Sequence, residues 1–149
     1  MSPFLLDVNV LIALGWKGHP DHNIAQDWFA RNNRAGWATC PFTEAAFVRI
    51  VTNPAFSANA ALPVEALTLL ATNLNHRTHQ FWADSISLRD AVRQFEDRLV
   101  GHQQITDAYL LGLAIHNKGR LATLDRSVID LFNRSDPRTY AVELISGKL

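Results

Sequence analysis

Short apolar segments of strand length alternate with longer stretches of helical spacing along this sequence, and that alternation limits the architectures open to it. Phe4-Leu5-Leu6 reads as a buried strand ending at an acid, Asp7. Residues 8–14 suit a short helix closed by Gly15. Residues 19–33 set Ile24, Ala25, Trp28 and Phe29 at helical spacing, with Pro20 in the first turn. Trp37-Ala38-Thr39-Cys40 is a second strand. Pro41-Phe42-Thr43 then enters a helix with Glu44 in its first turn, stopped by Asn53-Pro54. Residues 56–61 read as a loop, and Pro63 opens a helix that runs through Leu74. Gln80-Phe81-Trp82-Ala83 is a third strand, followed by an amphipathic helix over 88–99 and a loop over 101–104. Thr106 is expected to cap the next helix, with Gly119 past its end. Residues 120–124 form a fourth strand ending at Asp125, residues 128–132 a short helix, and residues 139–145 a fifth strand. Strands interleaved with helices predict a mostly parallel sheet covered on both faces.

The 149 residues fit a single domain spanning 1–149. A chain of this length buries roughly 70% of its unfolded surface, enough for a core without staples. With 48% hydrophobic and 19% charged residues it is not a disordered chain. Its 14 basic and 14 acidic residues cancel, which argues against a protein that coats nucleic acid by charge alone. It does not exclude a nuclease, whose site is itself acidic. The single cysteine, Cys40, permits no internal disulfide. The apolar start is broken by Asp7 and Asn9 and lacks a basic leader, and no apolar run approaches the roughly 20 residues of a membrane span. A cytoplasmic location without membrane attachment is the expectation.

Four acids are expected to meet. In a parallel α/β sheet, ligands bind beyond the carboxyl ends of the strands, where strand order reverses. Asp7 follows the first strand and Asp125 the fourth. Crossover helices run back against the strands, so their first turns begin on that same edge, and Glu44 and Asp107 each sit in such a turn. Each acid also has a plainer explanation, because carboxylates offset the helix dipole in first turns and Asp is common after strands. Asp7 resists that explanation most, since Val8-Asn9-Val10-Leu11-Ile12 follows it and a carboxylate in an apolar run is costly to bury alone. Converging carboxylates repel unless cations lie between them, and oxygen ligands suit Mg²⁺ or Mn²⁺. Two such ions roughly 4 Å apart activate a water and stabilise the leaving oxygen of a phosphodiester. Asn9 and Thr123, each two residues from an acid, are expected to support the site. Asp84, at the end of the edge strand, is expected away from it.

Leu5-Leu6-Asp7-Val8-Asn9-Val10-Leu11-Ile12, Thr43-Glu44, Ile105-Thr106-Asp107-Ala108-Tyr109-Leu110 and Leu121-Ala122-Thr123-Leu124-Asp125-Arg126, in that order and spacing, resemble the PIN domain family. More narrowly, the chain is similar to the VapC toxins of type II toxin–antitoxin pairs, from Phe4 to about Ile145. The resemblance implies a PIN-like α/β/α sandwich with a central five-stranded parallel sheet. It implies a Mg²⁺-dependent endoribonuclease, with Mn²⁺ as a substitute, that hydrolyses RNA phosphodiester bonds. Asp7, Glu44, Asp107 and Asp125 map onto the catalytic acids, and Asp7 and Asp107 onto the direct metal ligands. A homodimer and a cognate antitoxin encoded by an adjacent gene are implied partners, with RNA as substrate.

Two other functions fit parts of the pattern. A PIN domain acting only as a binding module would be expected to lose acids, and none is lost here. Asp7-Val8-Asn9-Val10 is also similar to the Asp-x-Asp of haloacid-dehalogenase-like phosphatases, with Asn9 replacing the acid/base Asp. His19 and His22 have zinc-like spacing but no completing ligand, so they read as helix-entry residues. His102 and Gln103 lie in a loop on the expected active edge, where a plain loop role is at least as good as RNA contact. Lys17, Arg49, Arg98 and Arg126 are candidate phosphate contacts against a default of solvated charges. Trp16, Trp28, Trp37 and Trp82 read as core or interface.

Overall fold

The computed structural model describes residues 1–133 and 135–147. Five short strands, β1 (Phe4–Leu6), β2 (Trp37–Thr39), β3 (His79–Phe81), β4 (Arg120–Thr123) and β5 (Val142–Leu144), form one sheet in the order β3-β2-β1-β4-β5. Every pairing is parallel. From β1 the chain builds outward through β2 to the edge strand β3, then returns to add β4 and β5 on the other side. The order therefore reverses between β1 and β4, and a crevice opens there at the carboxyl ends.

Successive residues of each strand point to opposite faces, and both faces are buried along the central strands β1, β2 and β4, while the edge strand β3 is largely exposed. Leu5, Ala38 and Leu121 pack with the helices α5 (Leu88–Val92) and α6 (Ile105–His116). Phe4, Leu6, Trp37 and Ala122 pack the other way, against α1 (Val8–Gly15), α2 (His22–Asn32), α3 (Pro41–Val51) and α4 (Pro63–Leu74). This explains why the strands read as continuous apolar runs rather than alternating ones. It gives the expected α/β/α sandwich. Among the described residues no helix is long and apolar enough to cross a membrane.

Several local expectations change. Pro20 lies ahead of α2, which starts at His22 behind Asp21. The 88–99 segment is α-helical only over Leu88–Val92 and continues as a 3-10 turn over Arg93–Arg98, which carries Phe95 into the core 5.3 Å from Phe132. Thr106 does not cap α6. A 3-10 turn over His102–Gln104 leads into the helix, and the Gln104 side chain accepts from the backbone N–H groups of Val100 (2.6 Å) and Gly101 (3.2 Å). The last expected strand shrinks to Val142–Leu144 because Pro137 starts a 3-10 turn over Pro137–Ala141, capped by Asp136.

The contact between α5 and α6 has no slack. A Cβ added at Gly112 would collide with the carbonyl oxygen of Ala91, a backbone atom that cannot turn aside. Gly112→Ala should therefore force the two helices apart and cost about 1–3 kcal/mol, the usual range for overpacking. Urea unfolding followed by circular dichroism measures this, and an unchanged midpoint would show that the interface yields.

Candidate active site

The core of this protein is apolar except along one edge. Among the described residues the buried polar or charged side chains are Asp7, Thr39, Thr43 and Thr123. Asp7, Thr39 and Thr123 stand at the carboxyl ends of β1, β2 and β4, and Thr43 lies in the first turn of α3. Fully buried hydroxyls need partners; those of Thr39 and Thr123 reach carboxylates, and that of Thr43 bonds to the backbone of Cys40.

Asp7 is only 4% exposed. Its backbone N–H extends the β1–β4 ladder by donating to Ala122 at 2.9 Å, which fixes it in the crevice. Its Oδ1 accepts from the Val8 N–H at 2.7 Å, at the start of α1. Its Oδ2 accepts from Thr123 Oγ1 at 2.8 Å and, at a long 3.4 Å, from Asn9 Nδ2. Thr123 Oγ1 in turn accepts from Asn9 Nδ2 at 3.2 Å and from the Asp125 N–H at 3.1 Å. Asn9 Oδ1 accepts from the Leu124 N–H at 3.2 Å. Asn9 and Thr123 thus tie the start of α1 to the end of β4 as one unit around Asp7. The Asn9 side chain is a carboxamide, which neither releases nor takes up a proton near neutral pH, and this disfavours the phosphatase-like role.

Asp125 is exposed, and its Oδ1 accepts from the backbone N–H (2.9 Å) and the hydroxyl (2.8 Å) of Ser127. Asp107 projects from the first turn of α6 and is half-buried. Burial first, then the charges of Asp7 and Asp125, push its carboxyl up to about 7. Burial likewise raises Asp7, with Asp125 adding to it and the bonds from Thr123 and Val8 working against it. These three acids therefore feel one another across the crevice. Glu44, from α3, is turned to a different partner: its Oε2 accepts from Thr39 Oγ1 at 2.9 Å, and Thr39 Oγ1 lies 2.8 Å from His79 Nε2.

Among the described residues no three His, Cys, Asp or Glu side chains close around a single ion position. The donor set still fits a hard cation. It is all oxygen, it holds a buried carboxylate beside two others, and its charges repel. Mg²⁺ is commonly bound by one or two carboxylates and its own waters rather than by a full protein cage, and Asp7 with Asp107 matches that requirement.

The other candidates resolve without a second site. His19 Nδ1 accepts from the Asp21 N–H, and His22 Nδ1 pairs with the Ala13 carbonyl, so both close the loop before α2. Arg98 donates to the carbonyls of Asp130 and Phe132, a structural duty that takes it from the phosphate candidates. Trp28, Trp37 and Trp82 are buried, and Trp16 packs edge-on against Phe56. Asp84 accepts from Tyr109 Oη at 3.0 Å, and Tyr109 is two residues beyond Asp107 on α6. It is thus tied to the site's own helix and is a poor reference position. Asp27, exposed on α2, is a better one. Sequence reasoning missed Ser127, Thr39 and His79. Ser127 was detectable as the second residue after an Asp in a turn. The other two carry no local signal.

A model of the PIN domain matches residues 4–136. Ribonuclease VapC38 of Mycobacterium tuberculosis is 42% identical over 142 residues, covering 95% of this chain and 97% of its own. Ribonuclease VapC39 of the same organism is 41% identical over 126 residues, covering 85% and 91%. Among solved structures, VapBC2 from Rickettsia felis bound to a DNA fragment from their promoter superposes with a TM-score of 0.58 at 13% identity, covering 84% of this chain and 90% of that one. That last likeness is one of fold.

The raised carboxyl of Asp107 makes a prediction for the metal-free protein. Unfolded, the group ionises near 4; folded, it ionises near 7. Its share of stability is whole below about pH 4 and is lost as pH rises to 7. Asp107→Asn should therefore flatten the fall in melting temperature between pH 5 and pH 8 and raise stability at pH 8. Equal slopes for the variant and the wild type in chelator would contradict the repulsion described here.

Proposed function

The chain belongs to the PIN domain family, and from that premise we propose that it is the toxin of a type II toxin–antitoxin pair, a Mg²⁺-dependent endoribonuclease. The observation that carries this reading is the buried Asp7 in the β1–β4 crevice, with the charges of Asp7 and Asp125 near enough to Asp107 to help raise its carboxyl. Asp7 and Asp107 are the metal ligands, and Glu44 and Asp125 complete the catalytic set. A divalent cation held by these oxygens would supply positive charge for the scissile phosphate and make it easier for a water to lose a proton and attack as hydroxide.

The chain's own residues do the positioning. The Val8 N–H and Thr123 hold the Asp7 carboxylate ionised against its burial, and Asn9 keeps Thr123 in place. Ser127 fixes one oxygen of Asp125. No histidine base or covalent nucleophile is required. The substrate is RNA, cleaved within the chain, and the acting form is a homodimer in the cytoplasm.

A cognate antitoxin from an adjacent gene is the regulatory partner. The carboxylate pocket suits an arginine, which engages two carboxylate oxygens at once. On α3 and α4, Phe42 (47%), Val64 (67%) and Leu67 (56%) are exposed apolar side chains suited to contact with an amphipathic partner helix.

Cleavage of total RNA should require Mg²⁺ or Mn²⁺ and cease in excess chelator. Asp7→Asn and Asp107→Asn should each lose about a hundredfold or more while remaining folded, and Asp27→Asn should match wild type. Undiminished cleavage in chelator would sink the metal reading. In cells, expression alone should arrest growth, Asp7→Asn should not, and the adjacent gene's product should relieve arrest through a complex that survives a sizing column. Harmless expression of the wild type, or relief without a complex, would count against the toxin assignment.

A further inference from the structure

We propose that His79 is a positioning residue for the nuclease reaction, acting through Thr39 to aim the carboxylate of Glu44; this rests on the reading of Glu44 as a catalytic acid. The bond directions follow from counting protons. An ionised carboxylate only accepts, so the single hydroxyl proton of Thr39 is committed to Glu44 Oε2 at 2.9 Å. His79 Nε2, 2.8 Å from the same hydroxyl oxygen, must then be the donor. The imidazole carries its proton on Nε2, fills the hydroxyl's acceptor side, and leaves the hydroxyl one orientation.

Each member of the relay is fixed from a different direction. Thr39 ends β2 and is fully buried, so its rotamer is set by packing. His79 begins β3 in register with Trp37, and its ring lies 4.7 Å from the indole at a 54° tilt. Half-buried against Trp37, the ring is pushed toward the neutral form by loss of solvent, with the Glu44 charge opposing that and His76 adding to it. Glu44 stands in the first turn of α3 with Oε2 occupied, and among the described residues no donor reaches Oε1. The relay thus spends one carboxylate oxygen on orientation and leaves the other for the reaction. It also gives the edge strand, which contributes none of the four acids, a part in the site.

Groups that orient ligating or catalytic residues typically matter by roughly tenfold to a hundredfold. Single-turnover cleavage of one defined RNA at saturating Mg²⁺ should show this loss in kcat, with KM little changed, for Thr39→Val and His79→Phe. Thr39→Ser and His79→Gln restore a hydroxyl and a side-chain N–H donor and should stay within about threefold of wild type. In a Glu44→Gln background, His79→Phe should cost less than about twofold further, because coupled residues are not additive. Independently of activity, nitrogen NMR of the imidazole should show Nε2 protonated and Nδ1 bare, with the Nε2 proton losing its protection from exchange in Thr39→Val. Wild-type kcat in His79→Phe, or the same loss with and without Glu44, would overturn the proposal. A ring protonated on Nδ1 alone would overturn the geometry itself. Full activity in Glu44→Gln with the NMR signature intact would instead remove the catalytic reading of Glu44 and leave the bond standing.

Discussion

A buried carboxylate with its own hydrogen-bond cradle governs this architecture. Asp7 sits where the sheet's strand order reverses, at 4% exposure. An unpaired charge there would cost several kcal/mol, so the chain must bring donors to it. Two come from the start of α1, the Val8 N–H and Asn9, and one from Thr123, 116 residues away. The cradle exists only when β4 lies beside β1. Satisfying Asp7 and completing the centre of the sheet are therefore one event, and Asn9 locks it by bonding to both Thr123 and the Leu124 N–H.

The surrounding charges push the other way. Asp107 and Asp125 face the cradle from α6 and from the loop after β4, and both raise Asp7's neighbourhood in energy. Mutual repulsion of this kind costs the protein stability, a compromise typical of functional sites. The balance of 14 acids and 14 bases conceals this local excess completely. Net charge describes how a protein behaves in solution, and it says little about a crevice that gathers one sign from distant parts of the chain.

Buried threonines link the apolar layers to the acids. Thr123 and Thr39 end strands on either side of β1, and each donates its hydroxyl proton to a carboxylate while accepting from a second side chain. Thr43 closes the start of α3, accepting from the Cys40 N–H and donating to the Cys40 carbonyl, which holds the turn that presents Glu44. A threonine suits a strand end because its methyl packs as part of the core while its hydroxyl remains available. That is why these positions do not stand out in an apolar run.

The sequence by itself determined the alternation of strands and helices, hence a parallel sheet buried on both faces, and it marked Asp7, Glu44, Asp107 and Asp125 by their positions at strand ends and first turns. Those features are local: they depend on side-chain periodicity and on which residues tolerate helix starts. The Gln104 cap ahead of α6 and the turn at Pro137 that shortens β5 are local features that helical and strand periodicity does not register, whereas the break of the 88–99 helix was hidden because it is decided by Phe95 packing on Phe132 far along the chain. The same holds within the site. Only the tertiary structure decided that Thr123 serves Asp7, that Thr39 and His79 serve Glu44, and that Asp107 carries the raised carboxyl. A hydrogen bond across 40 or 116 residues leaves no spacing to read, and a shifted ionisation depends on burial and on the distance to other charges, which exist only once the sheet has closed.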